Sequence, residues 1–163
     1  MKKSFLGCLL LTVSVIPLLA EQRIVFVVRH AERTGTDGPA QTDPALSETG
    51  RARAAGLKRE LRDAGIQSIY TSELKRARQT AAPLADSLGI KSEVVAARDV
   101  DELITKIKSG AGNVLIVGHS NTVPEIVKGL GVTTKVTLSE KQYDDLFVVV
   151  LGQPPLLLHL HYR

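Results

Sequence analysis

The chemistry of this chain starts with an arginine and a histidine set directly behind an apolar run. Ile24-Val25-Phe26-Val27-Val28 gives way to Arg29-His30-Ala31-Glu32-Arg33. A guanidinium fork grips anionic oxygens, and an imidazole nitrogen can attack phosphorus, so the pair suits a phosphoryl group. A second histidine stands in the same kind of place, because the apolar run Asn113 to Val117 ends in Gly118-His119-Ser120. If both runs are neighbouring parallel strands, both imidazoles reach one sheet edge, one as nucleophile and the other as a phosphate-binding donor. Gly118 lets a backbone come close to a ligand. Asn121-Thr122 opens a helix whose N-terminus favours an anion. A third cationic stretch, Tyr70-Thr71-Ser72-Glu73-Leu74-Lys75-Arg76-Ala77-Arg78, puts Arg76 one turn into a helix behind another strand. Taken singly these features have ordinary readings too: a strand-end histidine is usually a satisfied polar group, and a charge run is usually a solvated face.

The elements that must position these residues follow from periodicity. Apolar runs rich in β-branched residues read as strands buried on both faces, and ligands in open α/β sheets sit beyond the carboxyl ends of such strands. Residues 34 to 44 are rich in Gly, Pro, Thr and Asp and form a surface loop. Ser47 caps a helix over Glu48 to Ala64, with Gly65 behind it. Ile66 to Tyr70 is a strand. Thr71-Ser72 caps a second helix to about Leu88, which Pro83 should kink or split. Ile90 to Ala96 reads as a strand, and Asp99 to Lys108 as a helix with Val100, Leu103, Ile104 and Ile107 on one face. Val123 to Leu130 is a short helix, residues 131 to 141 fit no element, and Leu146 to Leu151 with Leu156 to Leu160 reads as a closing hairpin. The alternation predicts an α/β fold, a three-layer α/β/α sandwich with a mostly parallel sheet and an antiparallel edge strand.

Composition narrows the function classes. The chain has 163 residues, 44% hydrophobic and 23% charged, which suits one globular domain. The formal charge of +4 includes Lys2 and Lys3, and aromatic residues make up only 4%. With no clustered basic stripe and too few rings for stacking, a nucleic-acid partner is not expected. Met1-Lys2-Lys3, the apolar stretch Phe5 to Leu19 and Ala20 before Glu21 read as a signal peptide over residues 1–20, leaving residues 21–163 as the domain. The stretch is shorter than the roughly 20 residues a spanning helix needs, although an uncleaved anchor is the competing reading. Export to a bacterial periplasm or beyond is the expectation, with no stable membrane span after cleavage. Cys8, the single cysteine, lies in the leader, so the domain has neither a disulfide nor a thiolate nucleophile.

With these residues in view, the chain resembles the histidine phosphatase superfamily, of phosphoglycerate-mutase-like fold, branch 1, in its short form. Arg29-His30-Ala31-Glu32 is similar to the family's nucleophile motif. Leu46-Ser47-Glu48-Thr49-Gly50 is similar to its Leu-(Ser/Thr)-x-x-Gly segment. Ser72-Glu73-Leu74-Lys75-Arg76-Ala77-Arg78-Gln79-Thr80-Ala81 is similar to Ser-x-x-x-Arg-Ala-x-Gln-Thr-Ala, and Val117-Gly118-His119-Ser120 to the second-histidine motif. The resemblance implies that His30 carries the phosphoryl group, that Arg29, Arg76 and His119 bind its oxygens, and that no metal or other cofactor is needed. The family's usual Glu acid has no clean counterpart after the third strand. Asp99 is the first candidate for general acid, with Asp101 and Glu32 as alternatives; Asp99 as a helix cap and Glu32 as a partner of Arg29 or Arg33 are the competing readings. The expected function is an exported phosphatase acting on phosphomonoesters, with an envelope sugar phosphate as a candidate substrate. The alternatives are a phosphohistidine-protein phosphatase, a phosphoglycerate-type mutase and a non-catalytic phosphate-binding domain. His159 and His161 share a strand face; His-x-His can bind metal, but no third ligand is evident, and the pair reads as surface residues.

Overall fold

The computed structural model describes residues 22–35 and 43–163. The leader over residues 1–20, with Cys8, lies outside the described residues, as do residues 36–42 of the loop.

The two apolar runs form the centre of one sheet. Strand β1 (Ile24–Arg29) is buried at every position after Ile24, and so is β4 (Asn113–Gly118) after Asn113. They pair in parallel, Val25 opposite Val114 and Arg29 opposite Gly118. On the other side of β4 lies β2 (Ile66–Thr71), also parallel, and beyond it β3 (Glu93–Val94). On the other side of β1 lies β5 (Asp145–Val150), antiparallel, followed by β6 (Leu156–His161), antiparallel to β5. The sheet order is β3-β2-β4-β1-β5-β6. The antiparallel strand is thus β5, one place in from the rim, and β6 forms the edge. The expected closing hairpin explains this, since its first strand inserts beside β1.

Both faces of the sheet are covered. Helices α1 (Glu48–Leu61) and α2 (Lys75–Leu88) pack their apolar faces, including Leu57, Leu61, Ala81 and Leu84, against Phe26, Val28, Leu115 and Val117. Helices α3 (Val100–Ser109) and α4 (Thr122–Gly129) cover the opposite face, where Leu103, Ile107 and Ile126 meet Val25, Val27, Val114 and Ile116. Strand residues alternate between the two cores because successive side chains point to opposite faces. The predicted three-layer sandwich is the observed fold. No helix among the described residues is long and apolar enough to cross a membrane.

Three expectations are corrected. Helix α2 runs unbroken through Pro83. The buried face on both sides of the proline (Ala77, Thr80 and Ala81 before it, Leu84 and Ala85 after it) holds the two halves in line despite the lost backbone bond. The third strand shrinks to two residues, because the segment lies at the sheet edge and Glu93 and Val94 are exposed. Thr71-Ser72 does not cap α2: Leu74 takes the N-cap position, and the carboxylate of Asp43 accepts from Lys75 N at 2.8 Å instead. Ser72 Oγ meets His119 and, at 3.3 Å, the backbone N of Leu74, short of the helix itself.

Candidate active site

Because β1 and β4 are parallel neighbours in register, the two histidines arrive together. His30 N donates to Gly118 O at 2.9 Å, which ties the end of one strand to the end of the other. The imidazole centroids lie 5.2 Å apart, with the ring planes at 58°. His30 and His119 are both buried, at 4% and 6% exposure. The convergence expected from the sequence is present in the geometry.

Their hydrogen bonds fix what each ring can do. His30 Nδ1 lies 2.8 Å from Ala31 O. A carbonyl only accepts, so Nδ1 carries the proton and Nε2 keeps its lone pair. Burial pushes the His30 pKa down to about 3, and the charges of His119, Arg76 and Arg29 act in the same direction against the Ala31 hydrogen bond. The ring is neutral across the physiological range, with a nucleophilic nitrogen available. His119 Nε2 meets Ser72 Oγ at 2.8 Å. Ser72 Oγ also accepts from Leu74 N at 3.3 Å; where its own hydrogen goes to Nε2, the neutral His119 ring carries its proton on Nδ1. Burial, then Arg76 and Arg29, bring the His119 pKa to about 4, with Glu73 opposing.

The cations flank this pair, as their effect on both rings requires. Three buried nitrogens here have no protein hydrogen-bond partner among the described residues: Arg29 Nε, Arg76 Nε and His119 Nδ1. A buried donor left unpaired costs about 1–3 kcal/mol, so three at one place mark a site built to receive acceptor oxygens. The outer nitrogens of Arg29 are committed elsewhere. Nη1 donates to Ser139 O, Glu140 O and Gln142 O at 3.1, 3.0 and 3.3 Å. Nη2 meets the Glu140 carboxylate at 3.2 Å, and the Tyr143 ring packs 4.2 Å from the guanidinium carbon. The expectation that the Arg29 fork is open to an anion is therefore narrowed: the 139–143 segment clasps the fork, and Nε is the donor that remains. Tyr143, which sequence reasoning missed, also comes within 6.1 Å of the His30 ring, centroid to centroid.

Several motif residues turn out to be struts. Thr80 Oγ1 donates to Arg76 O at 2.7 Å and accepts from Ala31 N at 2.9 Å, locking α2 to the residue behind the nucleophile. Gln79 Oε1 accepts from Leu46 N at 2.8 Å. Ser47 caps α1 by accepting from Gly50 N at 3.0 Å, and a Cβ on Gly50 would collide with Glu32 O. Glycine is needed there so that the helix start can rest on the chain just after His30.

The carboxylates sort themselves by their partners. Glu32 is paired with Arg53, which holds it with Nε at 2.9 Å from both oxygens and Nη2 at 2.7 Å from Oε1. Among the described residues Glu32 makes no ion pair with Arg29 or Arg33. Asp99 stands at the N-cap position of α3, as the competing reading has it, but its side chain makes no capping hydrogen bond. It lines a small, mainly apolar cavity of about 20 Å³ with Val95, Leu103 and Ile116, which neither imidazole lines. Its carboxylate lies 3.6 Å from Arg98 Nε. Asp101 is exposed on the first turn of α3. Glu73, not singled out from the sequence, feels Arg98 and His119, and hydrogen bonds from its own backbone and from Ala97 hold its carboxyl below the usual range. The signal for it was its place inside the Ser72–Arg76 motif.

The fold defines a class, the phosphoglycerate-mutase-like α/β domains, and here two strand-end histidines meet at one sheet edge. The model of the histidine phosphatase superfamily (branch 1) matches residues 25–103. Over that stretch, just under half of its length, the chain is similar to that superfamily. A Yersinia enterocolitica protein named "probable phosphoglycerate mutase GpmB" is 37% identical over 70 residues. That stretch is 41% of this chain and only 33% of the relative, so the chain matches about a third of its length. The fold is similar to that of the protein histidine phosphatase SixA solved with tungstate, with a TM-score of 0.67 and 19% identity over 85% of this chain and 96% of that one. A mycobacterial glucosyl-3-phosphoglycerate phosphatase solved with VO3 gives a TM-score of 0.65 and 16% identity, covering 86% and 98%.

Proposed function

We propose that the chain is a phosphohydrolase that passes a phosphoryl group through His30. His30 Nε2 bonds to phosphorus as the ester P–O bond breaks, and the departing oxygen takes a proton. Water then adds to phosphorus as the P–N bond breaks, returning free imidazole and inorganic phosphate. The observation that carries this reading is the group of three unpaired buried nitrogens (Arg29 Nε, Arg76 Nε, His119 Nδ1) beside a neutral, nucleophilic ring. Charge grows on the phosphoryl oxygens in the transition state, where fixed donors are most effective. The similarity to family members named as phosphatases supports a hydrolase-type enzyme.

Asp99 is the proposed acid for the leaving oxygen, since it follows the third strand, where the resemblance places the family's acid, and its side chain makes no capping hydrogen bond. Replacing Asp99 by Asn is expected to slow an alkyl phosphate more than an aryl phosphate, because an aryl leaving group needs little protonation. Equal losses on both would remove Asp99 from that role.

The leader pattern supports export and an envelope sugar phosphate as substrate; cell fractionation with an antibody to the chain tests the first part, and recovery only in the cytosolic fraction would oppose it. One observation favours a second substrate class, a phosphohistidine on a protein: the fold covers 96% of the SixA chain. Hydrolysis rates on sugar phosphates and on a phosphohistidine protein, compared with the same preparation, decide between them.

A further inference from the structure

Away from the two-histidine pocket, three metal-ligating side chains meet at the β5–β6 end. Asp145 begins β5 and lies directly opposite His161 in the antiparallel register, while His159 lies opposite Phe147. Residues 159 and 161 share a strand face, so the hairpin turns both imidazoles and the Asp145 carboxylate to one side. The third ligand that the sequence did not offer is thus Asp145, fourteen residues earlier in the chain but brought alongside by strand pairing.

The arrangement is more than a satisfied carboxylate. Asp145 is 4% exposed, and His159 Nε2 lies 2.8 Å from its Oδ1. That one hydrogen bond would suffice for the buried oxygen. Yet His161 Nδ1 also faces the same oxygen at 3.6 Å, too far to be a hydrogen bond. The three donor atoms all lie within 4.8 Å of one another. Tetrahedral zinc, with ligands near 2.0–2.1 Å, spaces its donors about 3.4 Å apart, so the His161 contact nearly fits and the His159 contact must open by about half an ångström. Both imidazoles are partly exposed, 44% and 53% at the side chain, which leaves a path for an ion. Asp144 Oδ2, 3.5 Å from His161 Nδ1, adds a second negative charge.

The geometry points to a divalent transition-metal site of the zinc type, held by Asp145, His159 and His161. Two imidazoles and one carboxylate are a donor set that zinc accepts, with a fourth position left to water. The ion pins β6 to the start of β5. Two residues before Asp145 stands Tyr143, which packs on Arg29, so the site anchors the base of the clasp. The inference does not rest on the phosphatase reading.

The test is a calorimetric titration of the full chain with Zn2+ alone, at neutral pH, paired with thermal unfolding. The native chain is expected to bind one equivalent and to melt at higher temperature with the ion. His161→Ala, which leaves the Asp145–His159 hydrogen bond in place, is expected to weaken binding at least tenfold and to lose most of the thermal shift. His159→Ala is expected to do the same, and His30→Ala to leave both readouts as in the native chain. Undiminished binding in the His159 and His161 variants, loss of binding in His30→Ala, or no binding by the native chain would each overturn the site.

Discussion

At the scale of single residues, the two histidines are defined by burial rather than by an acidic partner. His30 is neutral because desolvation and the neighbouring guanidinium groups disfavour its charged form, and its proton sits on Nδ1 because Ala31 O accepts there. A nucleophile with a pKa near 3 remains unprotonated well below neutrality. The acid limb of kcat/KM is therefore expected to be absent between pH 5 and 7, where an ordinary imidazole of pKa about 6.5 would already be titrating. A limb centred near 6.5 that persists once the substrate phosphate's own ionisation, at about pH 6, is allowed for would contradict this protonation state. Arg76 places a buried, unpaired Nε beside the rings, and its replacement by Ala removes a charge-assisted contact of about 1.5–3 kcal/mol. Steady-state kinetics are expected to show kcat/KM down roughly ten- to hundredfold, with partial recovery in Arg76→Lys. Glu140 is different. Its carboxylate is 78% exposed, and three backbone carbonyls hold the same guanidinium, so Glu140→Ala is expected to change kcat/KM less than threefold.

At the scale of elements, the site depends on close approaches that the motif residues permit. Gly50 lets the start of α1 rest against Glu32 O, one turn of chain from the nucleophile. Gly50→Ala forces that backbone apart and is expected to lower unfolding free energy by about 1–3 kcal/mol, measured by urea denaturation. Here the sequence was informative in part. The Ser47 cap, the helix faces and the two strand-end histidines were readable because each is a local pattern of burial and spacing. The struts were not: Gln79 and Thr80 reach Leu46 N and Ala31 N across the fold, and nothing in their local spacing signals an acceptor so distant. The 139–143 segment was unreadable for the same reason. It has no periodicity, and it gains its place only by offering carbonyls to Arg29. Pro83 failed as a helix breaker because tertiary packing outweighed its local preference.

At the scale of the whole molecule, burying two imidazoles makes stability depend on pH. Their folded pKa values, about 3 and about 4, lie below the unfolded value near 6.5. Between those limits the unfolded chain binds more protons than the folded one. Stability is therefore full above pH 6.5 and is lost as pH falls toward 4. Denaturation midpoints taken from pH 7.5 to 4.5 are expected to decline, and to decline less steeply in a variant lacking both His30 and His119. The layered fold itself was legible because alternating apolar strands and amphipathic helices admit few arrangements. The position of the antiparallel strand was not, because a hairpin pattern does not say which neighbour its first strand will choose. The most direct measurement is to mix the protein with a radiolabelled phosphodonor, quench in alkali, and map the label by peptide. The account predicts an alkali-stable, acid-labile label on His30 that forms and decays at the rate of turnover and is missing in His30→Ala. Turnover with no label at residue 30, or undiminished labelling in that variant, would contradict it.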